Sequence, residues 1–241
     1  MIDLDARQIQ ILRAVIEEFI ETAQPVGSDT VDKKFNIGVS PATIRNEMVY
    51  LTDHGYLSKA HSSSGRLPTP VALKLYINEL MKEQDLSVAD EVSIKEKIWK
   101  FRRSLDELLY ETTRVLADRT HSLSVAMDSD ERLYHSGFAN LLGMPEFYDI
   151  NVMRNALRLV EEESLMREIF AHSQSENPVH VVFGLELGNR ALEPVSVLYI
   201  DLMIGGVACK LGVLGSHRFN YAHLIPTMKY CKGLIEEMAE L

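Results

Sequence analysis

Apolar residues recur along this chain in rhythms that each predict an element. Between residues 4 and 23, Ile9, Leu12, Val15, Ile16 and Phe19 share one face, which predicts an amphipathic helix begun by Asp3 or Asp5. Pro25-Val26-Gly27 breaks that pattern, Ser28 opens a short helix through Phe35, and Asn36 or Gly38 turns the chain. Ser40 then reads as an N-cap with Pro41 at the first helical position. Ile44, Met48 and Leu51 follow at spacings of four and three, one apolar side of a helix that Gly55 ends. Beyond Leu57, residues 58–61 and 65–67 predict two short strands around a Ser62-Ser63-Ser64 tip. Thr69 and Pro70 start another helix, with Leu73, Tyr76, Ile77 and Leu80 as its stripe.

Residues 83–93 are polar and read as a connection. Ile94, Ile98, Phe101, Leu105, Leu108, Thr112 and Val115 then alternate steps of four and three, predicting one long helix from about Ile94 to Arg119. That stripe fits either a helix laid on a sheet or a helical dimer seam, and Arg102, Arg103, Asp106 and Glu107 form its solvated side. Farther on, Leu123–Met127, Leu133–His135, Val179–Leu187, Val195–Ile204 and Val207–Leu214 read as strands. Asp128-Ser129-Asp130, Gly188-Asn189-Arg190 and Gly205-Gly206 supply the turns. Asn151–His172 and Tyr221–Leu241 read as helices. Mostly antiparallel strands with helices on a face make an α+β domain.

The first part has the order of a winged helix-turn-helix: helix, break, short helix, tight turn, capped helix, hairpin. A helix that is apolar beneath offers Thr43, Arg45, Asn46 and Tyr50 above, side chains suited to base edges and phosphates of a major groove. Ser40 at the helix N-terminus suits a phosphate. Lys59, His61, Ser62, Ser63, Ser64 and Arg66 suit a wing that touches the sugar-phosphate backbone. Lys33 and Lys34 lie near the same side. A salt bridge to Glu47 or a neighbour is the competing role for Arg45, and packing at the wing base the competing role for His61. The expected organisation is a DNA-binding domain over 1–82, a linker and long helix over 83–120, and an α+β regulatory domain over 121–241.

Charge tempers this reading. The 241-residue chain carries a net charge of −10, which opposes general attraction to DNA. The first 82 residues are close to balance, so the acidic excess lies beyond them. Binding should therefore depend on specific contacts and on two DNA-binding heads. Cys209 and Cys231 lack metal-ligand or paired spacing and suit a reduced, cytoplasmic protein. Ile2-Asp3-Leu4-Asp5 does not resemble a secretory leader. The most apolar stretch, Val195–Gly215, is interrupted by Asp201, Lys210 and glycines, so it reads as sheet, with no membrane partner.

The stretches Gln8-Ile9, Ile11-Leu12, Pro25-Val26-Gly27-Ser28, Ser40-Pro41-Ala42-Thr43-Ile44-Arg45-Asn46-Glu47-Met48, Gly55-Tyr56-Leu57 and His61-Ser62-Ser63-Ser64-Gly65-Arg66-Leu67-Pro68-Thr69 resemble the heat-inducible transcription repressor family (HrcA-like). The similarity resumes at Gly137-Phe138-Ala139-Asn140-Leu141-Leu142, Pro145-Glu146-Phe147 and Leu211-Gly212-Val213-Leu214-Gly215, and runs through Asn220-Tyr221 to Ile225-Pro226. The resemblance implies a reduced GAF-like regulatory domain and a homodimer on an inverted-repeat operator of chaperone genes. It also implies release from DNA when heat or misfolded protein diverts the chaperonin, a further partner. One departure stands out. Only residues 121–136 separate the long helix from the Gly137 block, where the family carries an inserted dimerisation domain.

Two other function classes compete with this reading. In one, the C-terminal domain senses a small molecule, with His135, His172, His180, Arg190, His217 and Arg218 as candidate polar groups. In the other, the chain is an enzyme with a regulatory head. The glycines lack a P-loop pattern, and no zinc signature, nucleophile elbow or carboxylate pair stands out, so no catalysis and no cofactor are expected.

Overall fold

The computed structural model describes residues 4–59, 65–171 and 178–239. It divides into two compact units, Met1–Lys82 and Glu83–Leu241.

In the first unit, α1 (Ala6–Thr22) starts at Asp5, whose carboxylate accepts from the amides of Arg7 and Gln8 while Gln8 reaches back to the Asp5 amide. Helix α2 (Ser28–Phe35) ends at Asn36 in the left-handed region. Helix α3 (Pro41–Asp53) packs on both. Strands β1 (Leu57–Lys59) and β2 (Arg66–Pro68) pair antiparallel, with Lys59 opposite Arg66. Helix α4 (Pro70–Leu75) is capped by Thr69 and widens into a π turn over Tyr76–Leu80. Leu73, Tyr76 and Ile77 are buried as their spacing predicts.

The second unit is built on a five-stranded antiparallel sheet of order β4-β3-β7-β6-β5. Before it come α5 (Val88–Trp99) and α6 (Leu105–Thr120). Two expectations are corrected here: the connection ends at Ser87, which caps α5, and the long helix is two helices. Ser104 caps α6 by accepting from the Glu107 amide, and the Arg102 guanidinium lies over the Trp99 ring and donates to the Trp99 carbonyl. Ser104-Leu105-Asp106-Glu107 is a helix-start pattern that the uninterrupted apolar stripe concealed. Ile94, Ile98, Leu108, Thr112 and Val115 are all buried within this unit, so the stripe serves packing inside it.

Strands β3 (Leu123–Met127) and β4 (Leu133–Ser136) form a hairpin. Short α7 (Phe138–Leu141), a 3-10 turn at Pro145–Tyr148, and helices α8 (Ile150–Glu161) and α9 (Glu163–Ala171) follow. The single helix expected over 151–172 breaks at Glu162, whose ψ of 93° leaves the helical region. Strand β5 (Val179–Phe183) stops four residues sooner than expected. Short 3-10 turns at Gly184–Leu187 and Arg190–Leu192 then replace a tight hairpin before β6 (Val195–Ile204). Strand β7 (Val207–Ser216) returns through Gly205-Gly206, both at positive φ, the backbone a two-residue hairpin turn requires. Helix α10 (Tyr221–Ala239) closes the described chain.

Both sheet faces are buried. Val125, Met127, Val197 and Tyr199 join a core with Val152, Ala156, Leu159, Met166 and Phe170 of α8 and α9. The alternate set, Ser124, Ala126, Leu198, Ile200, Leu211 and Val213, is also buried, and α6 and α10 pack against these strands. Cys209 and Cys231 are buried free thiols, and burial pushes them up to about 11 and about 12. Among the described residues no helix is long and apolar enough to cross a membrane.

Gly137 holds the turn between β4 and α7. At φ +95°, a Cβ there would lie 2.5 Å from the Ser122 carbonyl and 2.7 Å from the Ala117 methyl. Gly137→Ala is expected to cost on the order of 2 kcal/mol through backbone strain alone, read as a lower urea midpoint at unchanged slope.

Candidate nucleic-acid interface

Helix α3 is oriented by its buried side. Ile44 and Leu51 are fully buried and Met48 nearly so. At 100° per residue this places Asn46 almost opposite the buried stripe, flanked by Ala42, Val49 and, at the edge, Arg45. Arg45, Asn46 and Ala42 are exposed, and Val49 is too. Val49 was not singled out from sequence, although its position three residues beyond Asn46 marks it. It adds an apolar contact of the kind a thymine methyl accepts.

The helix start is firm. Ser40 Oγ accepts from the Thr43 amide at 3.2 Å and lies 3.0 Å from Thr43 Oγ1, so both hydroxyls sit at the exposed N-terminus. Glu47 does not take Arg45. It is held from α1, by Arg7 at 3.5 Å and by Gln8 Nε2 at 3.2 Å. Among the described residues Arg45 and Lys59 have no hydrogen-bond or ion-pair partner. Tyr50 is half-buried, and its ring stacks on His54 at 3.8 Å while its carbonyl accepts from His54 Nδ1 at 2.8 Å.

Arg66 has a different setting from a free wing cation. Its backbone exchanges two 2.9 Å hydrogen bonds with Val26, and its Nε donates to Thr52 Oγ1 at 3.0 Å. Gly65 lies so close to Pro25 that a Cβ would stand 2.8 Å from the Pro25 Cβ. The break after α1, the end of α3 and the base of the hairpin thus meet at one place. Lys34 is also engaged, by Glu18 at 2.6 Å and Glu21 at 2.7 Å, and those carboxylates raise its pKa. His61, Ser62, Ser63 and Ser64 lie outside the described residues.

In the second unit the candidate ligand groups are scattered. His180 is stacked on Tyr199 at 4.8 Å and pairs with Asp201 at 3.2 Å. Arg218 is ion-paired with Glu146. His217 is half-buried, His135 stands edge-on to Phe138, Arg190 is exposed, and His172 lies outside the described residues. An open groove of about 550 Å³ between α9 and the β6–β7 end is lined by Phe170, Met203 and Cys209. Of its charged residues, Arg167 pairs with Glu131 and Lys210 with Asp201, while Asp128 accepts from Tyr134 and two backbone amides. Among the described residues no group of three or more His, Cys, Asp or Glu is arranged to hold a metal.

A family model described as the HrcA protein C terminal domain matches residues 64–225. The heat-inducible transcription repressor HrcA of Symbiobacterium thermophilum is 25% identical over 339 aligned positions, covering 99% of this chain and 99% of the relative. HrcA of Clostridium tetani is 44% identical over 128 residues, covering 53% of this chain and 36% of its own. A crystal structure described only as a hypothetical protein shares the fold, with a TM-score of 0.75 and 18% identity over 98% of each chain. These relatives are transcription repressors, and mixed helix and antiparallel sheet is the architecture shared with the solved structure. The chain belongs to the HrcA family. It is a short member: the alignment runs over 339 positions and the chain has 241 residues, so roughly a hundred positions have no counterpart here.

Two expectations follow from this geometry. Ser40→Ala removes the cap of α3 and should lower stability by about 1 kcal/mol, measured by denaturant unfolding. Burial lowers the His217 pKa to about 4, below its ordinary 6.5. The unfolded chain therefore binds that proton first, and this group leaves stability untouched above pH 6.5. As pH falls from 6.5 towards 4 stability should drop, by up to about 1.4 kcal/mol per pH unit. His217→Gln should flatten that part of the stability–pH curve.

Proposed function

We propose that this chain is a sequence-specific repressor of heat-shock chaperone operons that binds an inverted-repeat operator as a homodimer. In this reading the first unit is a winged helix-turn-helix, with α3 as its recognition helix and the β1–β2 hairpin as its wing. The observation that carries it is the outward side of α3. Asn46 stands opposite the buried stripe, beside an exposed, unpartnered Arg45, on a helix whose N-terminus is capped and open. Asn46 would read a base edge, Arg45, Thr43 and Tyr50 would contact bases or neighbouring phosphates, and Ser40 would hold a phosphate at the helix start. Lys59 would contact the backbone from the wing, with His61 and Ser62 to Ser64 beside it.

Arg66 takes a narrower part. With its Nε on Thr52 and an Nη on the Gly65 carbonyl, it fixes the wing base against α3. The second unit is read as a reduced GAF-like regulatory domain, the compartment as cytoplasmic, and the chaperonin as the partner through which heat is sensed. No catalytic role is assigned, since the relatives are repressors. Charge and symmetry support a dimer. A chain of net charge −10 gains little sequence-independent affinity, and two heads on a two-fold axis match a palindrome.

Binding to a palindromic chaperone-operon fragment and to scrambled DNA across a salt series tests this. Asn46→Ala should weaken operator binding by roughly 10- to 100-fold and leave scrambled DNA nearly unchanged. Lys59→Ala should weaken both DNAs and reduce the salt slope by about one. Equal weak binding of the wild type to both DNAs would refute operator recognition.

A further inference from the structure

The side of α3 turned away from its core carries a line of side chains whose chemistry selects particular bases. Ile44, Met48 and Leu51 define the buried side. At about 100° per residue, Ala42, Asn46, Val49 and Asp53 fall within roughly 50° of the opposite direction. All four are exposed, Val49 by 42%. Arg45 lies to one side of this line, and Asp53 is the last residue of the helix. In helix-turn-helix docking the N-terminal part of the recognition helix meets base edges, which places Ala42, Asn46 and Val49 there.

A lone exposed valine is ordinary on a protein surface. Val49 differs by its place. It follows Asn46 by three residues, about 4.5 Å along the axis, close to the roughly 3.4 Å between stacked base pairs. An asparagine amide matches adenine, because its oxygen accepts from N6 while its nitrogen donates to N7. Valine can offer a base edge only hydrocarbon, and the one apolar group in the major groove is the C5 methyl of thymine. Its branched side chain is stiff at χ1, so its methyls stay where the helix holds them. Ala42 puts another methyl on the other side of Asn46. A guanine or cytosine edge against either residue would leave its polar groups without partners, at a desolvation cost.

We infer that Val49 reads the C5 methyl of a thymine lying within one base pair of an adenine held by Asn46, so that the bases beneath the middle of α3 are A·T pairs. The inference rests on the recognition-helix reading above and names the bases that helix selects.

Fluorescence-anisotropy titrations with the palindromic chaperone-operon fragment test it, each thymine being replaced in turn by deoxyuracil at equivalent positions of both half-sites. Deoxyuracil pairs as thymine does and lacks only the methyl. Wild type should lose affinity roughly tenfold at one such pair of positions. Val49→Ala, at an exposed site where alanine is the better helix former, should keep the wild-type circular dichroism. It should bind the unmodified operator about as weakly as wild type binds the deoxyuracil form, and no longer distinguish the two bases there. Adenines are then replaced by 7-deazaadenine, which lacks the N7 acceptor. The replacement that Asn46→Ala ignores should lie within one base pair of that thymine. If no thymine is methyl-sensitive, if Val49→Ala keeps the wild-type preference at every position, or if the two positions lie farther apart, the inference is wrong and operator recognition stands. A wild type that does not prefer operator to scrambled DNA refutes the recognition reading itself, and this inference with it.

Discussion

Burial of Ile44, Met48 and Leu51 beneath α3 is the constraint on which the first unit turns. A thirteen-residue helix has only one rotation about its axis that hides all three, and that rotation faces Asn46 outward. Once α3 is set, its end is set, and Thr52 receives the Arg66 side chain that anchors the hairpin. The Arg66 backbone simultaneously joins Val26, so the break after α1 carries the hairpin base on its other side. A proline, a glycine without room for a Cβ and two backbone hydrogen bonds therefore position a hairpin that two three-residue strands could not hold alone.

Electrostatics follows from the same packing. Helix α1 is acidic, yet Glu17 is taken by Arg13, and Glu18 and Glu21 are taken by Lys34. Glu47, the acidic residue nearest Arg45 in sequence, is turned to Arg7 and Gln8. The exposed side of α3 is thereby left with Arg45, and the hairpin with Lys59. In a nearly balanced unit Arg45 and Lys59 are thus left exposed, while Glu17, Glu18, Glu21 and Glu47 are engaged in internal contacts.

The second unit solves another problem. A sheet buried on both faces needs helices on each, and one long rod could not cover both. The break at Ser104 folds the apolar stripe of α5 and α6 back within the unit, which removes it as a seam for another copy.

Much of this was legible in the residues themselves. Ser40-Pro41, Thr69-Pro70 and Gly205-Gly206 act through local backbone chemistry, so the starts of α3 and α4 and the β6–β7 turn could be read without a partner in view. The apolar steps of α1 and α3 likewise named their buried faces. Other features are contacts between residues far apart in sequence, and no local rhythm encodes those. Arg66 looked like a free wing cation until Thr52 and Val26 were beside it, and Lys34 like a DNA contact until Glu18 and Glu21 were. The heptad steps ran unbroken across Ser104 because a five-residue turn can preserve the spacing of a stripe while reversing its path. Periodicity records which residues must leave water. Only the packed chain decides against what they are buried, and therefore which charges stay exposed.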